Sequence, residues 1–316
     1  MNMVRTKILG WVAGVIAAGA ALAGSGSACT LSISEVTSTG WSGADSRGYD
    51  VFEQRANYQL VTFRVRSDDD PCPFFVTVAP ASGAGDEGQL LGPGQPLPFR
   101  VYRDAGGSRP LKPLQLAGPG EVLLGTAPTG PAGTVFEFAY GIPPQRIVAP
   151  GDYLGEIEIA AYEGDLQSAV LRDRRRVQVS ALVPAESQVW FSERPSFDPT
   201  RPNETVRFEQ LRGGDERSAA MRVRANAGYE ILLQSANGGV LRNSDPSDTS
   251  TIPYTLTVDG APVALPKGGA VLALVGSGAT PAIGDLRQLR FTIGNVGLPT
   301  AGDYEDTITV TVLSTH

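Results

Sequence analysis

The sequence predicts an all-β protein of two tandem sandwiches, and three observations carry that expectation. Apolar and polar residues alternate with a period of two, clusters of Gly, Pro, Asp and Asn cut the chain into short segments, and one series of segments occurs twice in the same order. The alternation is plain in Phe63-Arg64-Val65-Arg66, Phe99-Arg100-Val101-Tyr102, Glu156-Ile157-Glu158-Ile159 and Thr307-Ile308-Thr309-Val310, as half-buried strands require. No stretch sustains a 3.6-residue period. Turn-forming clusters at 67–73, 105–110 and 237–246 separate the strands. Many short strands with such punctuation point to a sandwich. The connections 82–96 and 105–132 are long, hence either functional or merely variable.

The repeat divides the chain. Phe63-Arg64-Val65-Arg66-Ser67 answers to Met221-Arg222-Val223-Arg224-Ala225, and Leu97-Pro98-Phe99-Arg100-Val101 to Ile252-Pro253-Tyr254-Thr255-Leu256. Ala149-Pro150-Gly151-Asp152-Tyr153 answers to Thr300-Ala301-Gly302-Asp303-Tyr304, each followed by an alternating strand, and Tyr49-Asp50 and Phe197-Asp198 open the two copies. Four blocks in register place one sandwich at 29–183 and a second at 184–316, joined near Pro184. A chain of 316 residues has room for two such domains.

Composition removes several function classes. The single histidine is the last residue, His316, which leaves no imidazole base or ligand within the fold. Two cysteines make no zinc site alone, and Ser277, between two glycines, has no histidine to activate it. No catalytic residue, metal or cofactor is expected. A net charge of -7 argues against nucleic acid. Asp68-Asp69-Asp70 offers hard oxygen ligands for calcium or is a solvated turn; no EF-hand pattern follows it. Arg5 and Lys7 precede an apolar run at 8–22, and Ala21-Leu22-Ala23 fits a cleavage site, with Ala28 a second. Residues 1–28 therefore read as a signal peptide cleaved after Ala23 or Ala28, the alternative being an uncleaved anchor. Gly26 stands where a lipoprotein signal carries a large aliphatic residue, which speaks against lipidation of Cys29. Export leads to an oxidising compartment in which Cys29 and Cys72 can pair.

The two copies differ at their ends. After the first Gly-Asp-Tyr strand the chain continues into a further strand at 175–183, whose Val177, Val179, Ala181 and Val183 alternate inward and can close the first sandwich. After the second, only Leu313, Ser314, Thr315 and His316 remain. The second sandwich is therefore expected to lack its final strand and to present Tyr304, Ile308, Val310 and Val312 along an open apolar edge, a feature prone to pairing. A strand from another polypeptide would fill it; the alternative is a smaller, complete fold.

Gly228-Tyr229-Glu230-Ile231-Leu232-Leu233, Ile252-Pro253-Tyr254 with Asp259-Gly260, and the closing 301–312 segment with its Gly-x-Tyr-x-Asp-Thr-x-x-Val-x-Val pattern resemble the spore coat protein U domain. That family includes pilins and tip adhesins of archaic chaperone–usher pili. Val183-Pro184-Ala185 is similar to the family's opening with its cysteine lost. The resemblance implies immunoglobulin-like sandwiches and a Cys29–Cys72 disulfide in the first. It also implies completion of the second by a periplasmic chaperone, then, with an outer-membrane usher, by the donor strand of the next pilin subunit. Only Gly24-Ser25-Gly26-Ser27-Ala28 would precede Cys29, too short and polar to donate. The expected protein is thus exported through the periplasm to the cell surface as a pilus subunit at the fibre's tip, mediating attachment to an unknown surface and biofilm formation. Trp41, Leu90, Leu91, Leu123 and Leu124 (with Leu111) are candidate adhesive loop residues or else loop anchors. A stand-alone secreted surface protein and a carbohydrate-binding module are the alternatives.

Overall fold

The computed structural model describes residues 29–38, 48–68, 71–82, 85–128, 130, 132–194 and 203–315. The expected signal segment, Trp41, Asp69, Asp70, Phe197, Asp198 and His316 lie outside them. All regular structure among the described residues is β. The first nine strands are β1 (Leu31–Ser38), β2 (Asn57–Ser67), β3 (Cys72–Pro80), β4 (Glu87–Leu90), β5 (Leu97–Tyr102), β6 (Leu123–Ala127), β7 (Thr134–Ile142), β8 (Gly151–Glu163) and β9 (Val170–Val183). They form two sheets of order β1-β2-β7-β5-β4 and β6-β3-β8-β9. Ten more follow: β10 (Ser187–Phe191), β11 (Glu216–Ala225), β12 (Gly228–Ser235), β13 (Val240–Asn243), β14 (Thr251–Val258), β15 (Ala261–Val263), β16 (Val271–Gly276), β17 (Asp285–Ile293), β18 (Tyr304–Glu305) and β19 (Ile308–Thr315). Their sheets run β10-β11-β17-β14-β13-β18, with β15 beside β14, and β16-β12-β19. Every pairing between these strands is antiparallel.

The same path is traced twice. β1-β2-β7-β5-β4 matches β10-β11-β17-β14-β13, and β6-β3-β8 matches β16-β12-β19; β9 has no counterpart. The repeated motifs explain why. In β14 the alternation puts Ile252, Tyr254, Leu256 and Val258 inside and Thr251, Pro253 and Thr255 outside, as Leu97, Phe99 and Val101 lie inside in β5. Each Gly-Asp-Tyr turn is closed by its tyrosine: the Tyr153 hydroxyl donates to Ala149 O (2.9 Å) and the Tyr304 hydroxyl to Thr300 O (2.8 Å). A disulfide joins Cys29, ahead of β1, to Cys72 at the start of β3.

Strand β3 departs from alternation, with Phe74 through Ala79 all buried. Its inner face joins the main core through Phe74, Val76 and Val78. On the outer face Phe75 stacks on Tyr162 (5.2 Å, 12°) beneath Val122, Leu114 and Ala117. Much of the long connection before β6 is thus a strap sealing a second, smaller core. Leu111, in the same connection, is buried in the main core.

Candidate functional site: the edge of β19

Residues at matching positions of the two sandwiches are buried to different degrees. In β8, Ile157, Ile159 and Ala161 are each 0% exposed. Their counterparts in β19, Ile308, Val310 and Val312, are only half-buried. The difference follows from what lies alongside. β9 pairs with β8 along its length and is fastened to β1, whose Ile33 N donates to Asp173 Oδ2 (2.7 Å). In the second sandwich β19 is the edge of its sheet and β10 the edge of the other, and they approach each other where Ser187 Oγ meets Val312 O at 3.5 Å. Val189 and Phe191 of β10 and Ile308, Val310 and Val312 of β19 are all half-buried against the second core. The whole core shares this: among the described residues the first has thirty buried members and five partly buried, the second thirteen and seventeen.

β9 contains the segment 175–183. Val179, Ala181 and Val183 are buried in the first core, and Val177 is half-buried against it. The strand begins earlier than expected, at Val170 rather than 175. Arg174 and Arg176 sit on its outer face, where Arg174 pairs with Glu158 (3.5 Å) and Arg176 with Glu158 (3.7 Å) and Glu156 (3.9 Å) across the β8–β9 ladder, while Arg175 lies opposite Ile159.

Tyr304 is a correction to the expected edge. It lies in the two-residue β18 against Asn243 of β13, in the other sheet, so the open edge is Ile308, Val310 and Val312. Asp306 makes the break. Its Oδ2 accepts from Ser235 Oγ (2.6 Å) and the Tyr254 hydroxyl (2.6 Å), and its Oδ1 from Asn237 N (3.0 Å) and Thr307 N (2.8 Å). Burial first, then this bond and the carboxylate's charge, raise the Tyr254 hydroxyl well above the usual tyrosine range. Sequence reading passed over this junction; the Asp-Thr of the closing pattern was its only local signal.

The apolar loop candidates do not converge. Leu90 and Leu123 point into the first core, because alternation in β4 and β6 turns them inward. Leu91 and Leu124 are 63% and 67% exposed. Leu91 bridges Leu154, whereas Leu124 lies opposite Phe75, itself opposite Tyr162. Leu154 and Tyr162 are eight residues apart on β8, roughly 26 Å at the rise of a strand. No group of three or more His, Cys, Asp or Glu side chains among the described residues could hold a metal ion.

The sequence matches no family profile and no curated protein. Solved structures do resemble the chain. A chain of the CsuC–CsuE chaperone–tip adhesion subunit complex from the archaic chaperone–usher Csu pili of Acinetobacter baumannii is 13% identical with a TM-score of 0.44, over 89% of this chain and 92% of that one. The CupB6 tip adhesin of Pseudomonas aeruginosa is 9% identical with a TM-score of 0.31 (90% and 94%). CfaE, the adhesive subunit of CFA/I fimbria of enterotoxigenic Escherichia coli, is 12% identical with a TM-score of 0.32 (77% and 82%). Likeness this slight carries no functional weight, which rests on the half-buried edge of β19.

Proposed function

We propose that the protein is an exported structural subunit of a chaperone–usher pilus that accepts a strand from another polypeptide between β10 and β19. One observation supports this above the rest: positions fully buried in β8, where β9 lies alongside, are half-buried in β19, where the edge is open. A strand entering there would add main-chain hydrogen bonds to β19, and its alternate apolar side chains would cover Ile308, Val310 and Val312. Each such side chain contributes about 1.5–3 kcal/mol before ordering costs. On this reading the strand comes first from a periplasmic chaperone and, after passage through the usher, from the next pilin. The first sandwich, closed covalently by β9, needs no donor. It is the part free to face outward, as the attaching domain of a tip adhesin in surface attachment and biofilm formation.

The test is thermal unfolding of the chain with and without a synthetic strand peptide of alternating apolar residues. The expected result is a higher melting temperature for the second sandwich only, lost in Val310→Lys. No shift with any such peptide, nor with a pilus chaperone, would leave an ordinary secreted tandem sandwich.

A further inference from the structure

β9 is the chain's own example of a strand lying beside this kind of edge, because it closes the first sandwich where the second has no counterpart. Its register on β8 sets Val177 opposite Ile157, Arg175 opposite Ile159 and Asp173 opposite Ala161. Ile157, Ile159 and Ala161 correspond to Ile308, Val310 and Val312, each pair standing equally far beyond its Gly-Asp-Tyr turn. A strand taking the same place beside β19 would therefore bring the Arg175 position opposite Val310. Residues directly opposite in an antiparallel ladder share a face, so that position turns toward the core side.

The first sandwich admits an arginine there because β1 bulges. β1 pairs regularly with β2 as far as Ser34 opposite Arg64 and resumes at Thr37 opposite Thr62, three residues against two, which is a bulge. Within it Glu35 has φ +51°, and its carboxylate pairs with Arg64 (2.6 Å) and Arg66. Those arginines alternate with the buried Phe63 and Val65. Glu35 is thus turned to the outer face, and the next side chain packed against the core, Val36, comes one residue later. The cleft beside the bulge is lined by 33–36 and 175–178, and Arg175 is exposed in it.

β10 offers no such opening. It pairs with β11 in unbroken register through Phe191 opposite Met221. Ile33 and Val189 lie opposite Val65 and Val223, which correspond in the repeat, so Phe191 stands at the place of Glu35. Val189 and Phe191 both pack against the second core. An arginine facing Val310 would meet Phe191 instead of a bulge, and a guanidinium stripped of water against apolar groups is costly. We propose that the β19 edge selects by this one position: it takes a strand with an apolar side chain opposite Val310 and refuses β9, so that the closing strand of one copy does not enter the open edge of another. The selection rests on the strand-accepting reading of β19 and adds to it which side chain of the incoming strand decides.

Three peptides, offered to the full chain, test this: 170–183 as it stands, the same peptide with Arg175→Val, and the same with Arg176→Val. The two substituted peptides have one composition and one charge and differ only in the face that carries the new valine. The Arg175→Val peptide is expected to bind at least about tenfold more tightly than either of the others by fluorescence anisotropy. It should also raise the melting temperature of the second sandwich, a response lost in Val310→Lys. A smaller preference over either peptide would overturn the selection while strand acceptance stands. Silence from all three peptides, where the alternating apolar peptide still raises the melting temperature, would overturn it too, because β9 would then be no guide to the register. Silence from that peptide as well would end the strand-accepting reading, and the selection with it.

Discussion

Asp306 sets where the open edge begins. Four hydrogen bonds converge on its carboxylate, from β12, β14, the turn after β12 and its own following residue. Ser235, one of the donors, is buried and itself accepts from Asn237 N and Gly239 N. Bonds to a charged acceptor are each worth about 1.5–3 kcal/mol where solvent is excluded; this carboxylate is half-buried. Asp306→Ala should therefore destabilise the second sandwich by about 2 kcal/mol net and leave the first unchanged, as read by the two unfolding transitions. A change below about 0.5 kcal/mol, the range of ordinary surface substitutions, would remove Asp306 from this role. Its position in the closing pattern was legible in the sequence, but its partners were not: all except Thr307 are distant in the chain.

At the scale of strands, β9 and the β19 edge make a matched pair for experiment. Val179 is buried within the first core, and a lysine there would place an unpaired charge inside the protein. Val179→Lys should cost more than about 3 kcal/mol of first-sandwich stability in denaturant unfolding. Val310 is half-buried, so a lysine can run its stem along the β19 edge and keep its ammonium in water. Val310→Lys should cost less than about 1 kcal/mol in the chain alone, while removing the response to a strand peptide. Equal costs at the two sites would mean that β19 is already covered. The outward arginines of β9 raise no conflict with its inward role. In an antiparallel ladder the two faces are independent, and Glu156 and Glu158 of β8 match Arg176 and Arg174 on the solvent side.

Across the whole molecule, two cores with separate strand sets are joined through the short segment around Pro184. We propose 29–183 and 184–316 as separate folding units, and the disulfide tests the division because it lies wholly in the first. Closing a loop of sequence separation 43 restricts the unfolded chain by about 4 kcal/mol in the loop-entropy account. Reduction, or Cys29→Ser with Cys72→Ser, should lower the melting temperature of one calorimetric transition and leave the other in place. A single transition moving as a whole would merge the two units into one.

The sequence by itself determined what is local. Alternation set which face of each strand turns inward, the turn residues set where strands stop, and the repeat set a common strand order for both halves. Burial was not legible, because the cover over a face comes from segments far away in the chain. Ile157 and Ile308 follow the same local pattern, yet one is sealed beside β9 and β1 and the other half-exposed. Leu90 and Leu91 are neighbours in sequence, one inside the core and one in water. Only the tertiary structure moved Tyr304 off the edge and turned a long connection into a strap over Phe75 and Tyr162. Each of those outcomes depends on long-range packing, in which free energy is set by what a side chain meets rather than by which way it points.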